Sequence, residues 1–310
     1  MLGNQFETVS SSTDLPTTFT RNPPNLASKF QKSALETETL DTRINNFFSL
    51  YELKTDISNT KNTAPGHDRV CYEMFKHLSD HSLQFLLFLF NKLWVTGVVP
   101  KPWLHSIVIP VHKQSKPSNL PSSYRPISLT SSACKIMEKM IVNRLKWYLE
   151  HYNLRHITQS GFRIRRRVTD HIMRLHDIVG KSLANKHHVL PVFIDIAKAH
   201  DMVCTDASFF KLLKMGINGR MFNFIRSFLT NRCFQVRVGS KLFMVKYPTN
   251  GIPQGSILRP ILFSILINDL PDGRRSPVAL HANDFSFWES GSSIKQLNDL
   301  CQRSLAKVAE

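Results

Sequence analysis

The chain has 310 residues, 42% hydrophobic and 20% charged, enough to bury one large core or two ordinary ones. That supply of Phe, Leu and Ile excludes wholesale disorder, and 12 glycines without a period exclude a collagen-like chain. Forty Lys and Arg against 23 Asp and Glu leave a net charge of +17 spread along the chain. Such an excess suits a polyanion, nucleic acid or an anionic membrane; a basic protein with no such partner is the plainer alternative.

Residues 1–28, rich in Ser, Thr, Asn and Pro, predict a flexible leader. With the short helix expected over 41–55, where Ile44, Phe47, Phe48 and Tyr51 keep helical spacing, residues 1–59 form a polar, partly disordered leader. A helix over 82–96 should end at Gly97. An apolar strand, Ile107 to Val111, then precedes a polar loop. Helices are expected over Cys134 to Tyr152, with Ile136, Met140, Leu145 and Leu149 near one face, and over 169–186. The run V-L-P-V-F-I-D ends in a carboxylate, Asp195, and helices follow near 206–215 and 219–230. Next come a hairpin around Gly239-Ser240, a helix from Pro260 to Asp269, an apolar run from Val278 to Trp288, and a last helix over 293–309.

Five widely separated cysteines without a C-x-x-C read as free thiols of a reducing compartment. His77 and His81 have i, i+4 spacing but lack the acid of a zinc-protease motif. The first ten residues lack the basic start and apolar core of a signal peptide, and the most apolar run, Leu83 to Val95, is too short to span a membrane. A soluble intracellular protein with no membrane partner is expected.

Asp195 ends one strand and Asp284 sits in a later hairpin-like run. Two strands of one sheet can bring such acids together, and paired carboxylates in a basic protein suit a divalent-metal site acting on phosphates. Ordinary strand-end aspartates are the plainer reading.

Six linked motifs decide between them. They are A-P-G-H-D (64–68), Y-R-P-I-S-L-T-S (124–131), Q-S-G-F-R-I-R-R-R-V-T-D (159–170), F-I-D-I-A-K-A-H-D (193–201), G-I-P-Q-G-S-I-L-R-P-I-L-F-S-I-L-I-N-D-L (251–270) and L-H-A-N-D-F (280–285). In order and spacing, over about residues 60–300, this resembles the reverse transcriptase domain of non-LTR (LINE-type, jockey-like) retrotransposons. The resemblance implies an α+β right-hand polymerase fold, with helical fingers over 60–188 and an incomplete palm over 189–310, an antiparallel sheet backed by helices. It implies RNA-directed DNA synthesis, using two Mg²⁺, an RNA template, a DNA primer and dNTPs, in the cytoplasm, the nucleus or both.

By the same resemblance Asp195 and the backbone carbonyl of Ile196 are metal ligands, and H-A-N-D stands for the family's Y-A-D-D, with Asp284 as the second acid of that pair. Gln254 and Gly255 match the nucleotide-contacting P-Q-G loop, and Lys113 and Arg125 the fingers residues that clamp the triphosphate. Arg163, Arg165, Arg166 and Arg167 would face the template backbone, with an ordinary solvated charge run as the plainer alternative.

The departures from the family pattern carry as much weight. Asn283 stands where the family has the first Asp of its pair. At ~4 Å and an effective dielectric of ~20, the missing charge is worth roughly 4 kcal/mol per ion, and that much in the transition state slows the reaction ~10³-fold. His200 replaces the Phe or Tyr that excludes a ribose 2′-hydroxyl, so sugar discrimination should weaken. Arg259 replaces a usual Gly, a strain of roughly 1 kcal/mol if the position needs positive φ. His67 and Arg69 depart from A-P-G-P-D-G, and the chain stops soon after Asp284, so a missing thumb and a degenerate, truncated copy are expected. A non-catalytic RNA- or DNA-binding remnant is the alternative function.

Overall fold

Local signals set some helix boundaries. Ser49 and Glu52 form a capping box in which the Ser49 hydroxyl accepts from the Glu52 N–H (3.2 Å) and the Glu52 carboxylate accepts from the Ser49 N–H (2.8 Å). They start α1 (Leu50–Ser58). The helix expected over 41–55 therefore begins later, because Asp41 instead caps a 3₁₀ turn at Thr42–Asn45. The computed structural model describes residues 41–196, 199, 201–273 and 276–309. The leader expected over 1–28 lies outside the described residues.

The described residues fold as two units, each discontinuous in sequence: those within 41–148 and 201–259, and those within 149–199 and 260–309. The first unit contains α1, α2 (Tyr72–Lys76), α3 (Asp80–Thr96), α4 (Lys101–Leu104), most of α5 (Ser132–His151), α7 (Thr205–Lys214) and α8 (Gly219–Leu229). Helix α3 ends at Gly97 in the left-handed conformation (φ 65°), as its sequence predicts. Trp94 is fully buried, its ring centroid 4.8 Å from Phe48 and 6.1 Å from Phe224, and its indole N–H donates to the Asn46 carbonyl.

A four-stranded sheet of order β2-β1-β4-β5 completes this unit. Its central strand β1 (His105–His112) pairs antiparallel with β2 (Tyr124–Leu129) and parallel with β4 (Cys233–Val238), which pairs antiparallel with β5 (Lys241–Leu242). Strand β2 is hidden in the sequence by Pro126, tolerated because β2 is an edge strand and Pro126 stands opposite Pro110.

The second unit is built on a three-stranded antiparallel sheet, β3 (His188–Asp195), β7 (Asp284–Gly291) and β6 (Val278–His281), in that spatial order. Helices α6 (Val168–Ala184), α9 (Arg259–Leu266, all but its first residue) and α10 (Ile294–Ala309) accompany it. Val278, Leu280, Phe285, Phe287 and Cys301 form its core, joined by Leu190, Val192 and Ile194 from β3. The two-residue period of β3 then puts Phe193 and Asp195 on the opposite, exposed face. Among the described residues the fold is mixed α and β, with one mixed and one antiparallel sheet. No helix among the described residues is long and apolar enough to cross a membrane.

Candidate active site

Asp195 is the last residue of β3 and Asp284 the first of β7, and the two are direct partners in the antiparallel register. Opposed residues on neighbouring strands project from the same face, with Cβ atoms about 5 Å apart. Both side chains lie on the exposed face. Like charges so placed repel, and a cation between them would relieve the repulsion. Asn283 supplies a partial substitute, its Nδ2 donating to Asp195 Oδ1 at 3.1 Å. The Ile196 carbonyl already accepts from the Ala199 N–H (3.2 Å) and keeps a second lone pair.

The turn between β6 and β7 has two residues, Ala282 and Asn283, with Ala282 at φ 55°. Such a turn favours Gly at its first position, so Ala282 is strained. A brace from the segment 158–161 holds it, a role sequence reasoning does not assign. Gln159, fully buried, accepts through Oε1 from the N–H of Gly161 (2.7 Å) and of Ala282 (3.3 Å). The Ser160 N–H donates to the Leu280 carbonyl (2.9 Å), and the Leu280 N–H to that of Thr158 (3.2 Å). A Cβ on Gly161 would lie 2.2 Å from the Ala282 nitrogen, so only glycine lets the brace approach. The Ser160 hydroxyl lies between His171 Nε2 (2.7 Å) and His281 Nδ1 (2.9 Å). Burial, aided by Arg174 and His281, pushes the His171 imidazole below its ordinary value.

Of the four arginines expected at the template, Arg165, Arg166 and Arg167 are exposed, whereas Arg163 is committed inside the unit. Its guanidinium holds Glu150 through two hydrogen bonds (2.7 and 3.0 Å) and donates to the His156 carbonyl (3.1 Å). Arg163 is therefore structural in this conformation, and the outward-facing run is shorter by one.

In the first unit, Gln254 and Gly255 form a turn before α9. The Gln254 carbonyl accepts from the Ser128 N–H (2.8 Å), and Gly255 has φ 134°, a conformation that side chains rarely permit. Lys113 extends its ammonium to the Ser122 carbonyl (2.9 Å), and Arg125 is exposed on β2. His200 lies outside the described residues. Arg259 carries no positive φ; it opens α9 and its guanidinium pairs with Asp201 and the Ile252 carbonyl, both at 3.1 Å. The strain contemplated for Arg259 falls instead on Arg69, at φ 59°.

Residues 111–305 match the family model described as reverse transcriptase (RNA-dependent DNA polymerase). The "Probable RNA-directed DNA polymerase from transposon BS" of Drosophila melanogaster is 30% identical over 254 residues, covering 79% of this chain and 28% of that protein. The RNA-directed DNA polymerase from mobile element jockey of the same species is 32% identical over 239 residues, covering 74% and 26%. The corresponding protein from its transposon X-element is 30% identical over 215 residues, covering 69% and 24%. The chain thus spans about a quarter of the length of these relatives. With six motifs in order and the family match over most of its length, the chain belongs to the reverse transcriptase (RNA-dependent DNA polymerase) family, as a jockey-like domain of a non-LTR retrotransposon.

Proposed function

We propose that this domain carries the fingers (60–188) and palm (189–310) of an RNA-directed DNA polymerase that joins a dNTP to a primer 3′-hydroxyl on an RNA template, and that this copy is severely slowed. The observation that carries the reading is the pairing of Asp195 with Asp284 across β3 and β7, on an exposed face, with Asn283 beside them. The donors suit Mg²⁺ in kind, being hard oxygens from Asp195, Asp284 and the Ile196 carbonyl. They fall short in charge, because two carboxylates would face two doubly charged ions and Asn283 brings none. Held by Asp195, Asp284 and the Ile196 carbonyl, Mg²⁺ would supply activation of the primer hydroxyl and charge stabilisation for the departing pyrophosphate.

The chain's own residues supply the rest. The brace of Gln159, Ser160 and Gly161 fixes the hairpin that presents Asp284. Gln254 and Gly255 meet the nucleotide near its sugar, and Lys113 and Arg125 take the triphosphate as charge-assisted donors. His200, smaller and more polar than the Phe or Tyr it replaces, admits a 2′-hydroxyl more readily. Arg165, Arg166 and Arg167 hold template phosphates without reading sequence. The work takes place where element RNA and target DNA are found, in the cytoplasm, the nucleus or both.

The test is extension of a DNA primer on an RNA template by the Asn283→Asp chain. Extension that disappears on adding Asp284→Ala supports the assignment, and extension that survives it overturns the assignment. The exposed arginine run also favours a second reading, a non-catalytic binder. That reading expects steeply salt-dependent RNA binding and fails if no RNA is bound at low salt.

A further inference from the structure

The carboxylate of Glu138 is fully buried within α5, yet no step above uses it. One of its oxygens, Oε2, accepts three hydrogen bonds from a single short segment: from the Ser256 hydroxyl, the Ile257 N–H (2.8 Å) and the Leu258 N–H (3.2 Å). That segment begins one residue after Gly255. On the other side of the turn, the Gln254 carbonyl is held by the Ser128 N–H (2.8 Å). Gly255 also lies so close to the Ser128 carbonyl oxygen that a Cβ would stand 2.5 Å from it. Gln254 is therefore fixed between two anchors, β2 on one side and the Glu138 carboxylate on the other.

A buried carboxylate is a costly way to tie down an ordinary loop, since an apolar side chain would fill the same space without desolvating a charge. Burial pushes the Glu138 carboxyl above its ordinary value, opposed by its three donors and by the buried Arg232 guanidinium. Three donors converging on one oxygen define a fixed backbone path, which a hydrophobic contact does not.

We propose that Glu138 is the positioning residue of the nucleotide-contacting loop, locking Ser256, Ile257 and Leu258 so that Gln254 meets the incoming dNTP from one fixed place. The proposal rests on the reading of Gln254 as a nucleotide contact.

Two substitutions separate positioning from bulk packing. Glu138→Gln keeps an oxygen acceptor at the same reach, whereas Glu138→Met keeps length and volume without one. In the Asn283→Asp background, Glu138→Met should raise the KM for dNTP by about tenfold while kcat stays within about threefold, and Glu138→Gln should hold both within about threefold. A merely structural role would lower the active fraction, and so kcat, with KM unchanged; that result overturns the proposal. Hydrogen exchange gives a readout independent of synthesis. The Ile257 and Leu258 amides should be protected in the parent and in Glu138→Gln and exchange at least about tenfold faster in Glu138→Met. If the Asn283→Asp chain extends no primer, the polymerase reading fails, and the exchange measurement still decides the lock: unchanged protection in folded Glu138→Met refutes it.

Discussion

Replacing Asn283 by Asp should destabilise the metal-free protein and make its stability depend on Mg²⁺. The Asn283 amide nitrogen lies 3.1 Å from Asp195 Oδ1 as a hydrogen-bond donor. A carboxylate in the same place turns attraction into repulsion, worth about 1.3 kcal/mol at that separation in bulk water and about 5 kcal/mol at an effective dielectric of 20. Asp195 is exposed, so the lower figure governs. Losing a hydrogen bond to a charged group adds about 1.5 kcal/mol, for an expected loss of about 3 kcal/mol. A divalent ion binding only the folded pair restores it, contributing about 2.7 kcal/mol at a hundred times its Kd. Urea unfolding of the parent and Asn283→Asp, each in EDTA and in millimolar MgCl₂, checks both signs. The variant should be the less stable in EDTA and gain far more from Mg²⁺ than the parent. Equal stability in EDTA, or equal gains from Mg²⁺, would refute the placement of these side chains around an ion.

Arg69→Gly, relieving a left-handed arginine, should stabilise the protein by about 0.5–1 kcal/mol. Arg259→Gly should do the reverse, by about 1–3 kcal/mol, because it removes a half-buried ion pair at a helix start; urea midpoints of opposite shift would confirm the pair. Arg166→Ala should reduce the log–log salt slope of RNA binding by about one without changing stability, whereas Arg163→Ala should lower stability and leave the slope alone. The Glu138 carboxyl, raised by burial, binds its proton more tightly in the folded than in the unfolded chain. Its contribution to stability is therefore largest below the ordinary carboxylate range and declines as pH rises through the folded value. As pH rises above the ordinary carboxylate range the parent should lose stability more steeply than Glu138→Gln. Parallel curves would contradict a raised carboxyl at this position.

The partnership of Asp195 and Asp284 is legible in the sequence because Asp195 closes the short apolar run V-L-P-V-F-I and Asp284 sits within the apolar run from Val278 to Trp288, where H-A-N-D is short enough to be a turn. Strand β2 is not, because Pro126 argues against a strand and only its edge position permits it. The late start of α1 has a signal, the S-x-x-E at 49–52, that apolar spacing alone overrides. The buried role of Glu138 also leaves a trace. It falls in a stripe with Cys134, Ile141 and Leu145, where a carboxylate has no place unless something holds it. The commitment of Arg163 to Glu150 leaves no trace, since a run of arginines reads as a solvated or phosphate-facing surface until its partner, across a turn, is placed. Arg259 shows the limit of transferring a glycine's meaning: the family's residue does not require a left-handed backbone at this position here.

If Asn283 is what slows the proposed nucleotidyl-transfer site, a carboxylate at that position restores the chemistry. Single-nucleotide incorporation on an RNA-templated primer, measured for the parent, for Asn283→Asp and for Asn283→Asp with Asp195→Ala, tests it most directly. Once template, primer and nucleotide cover the site, the effective dielectric falls to ~20 and the restored charge is worth roughly 4 kcal/mol, which predicts a rate about 10³-fold above the parent for the single variant and none for the double. A parent as fast as Asn283→Asp, or a double variant that still incorporates, would contradict the account.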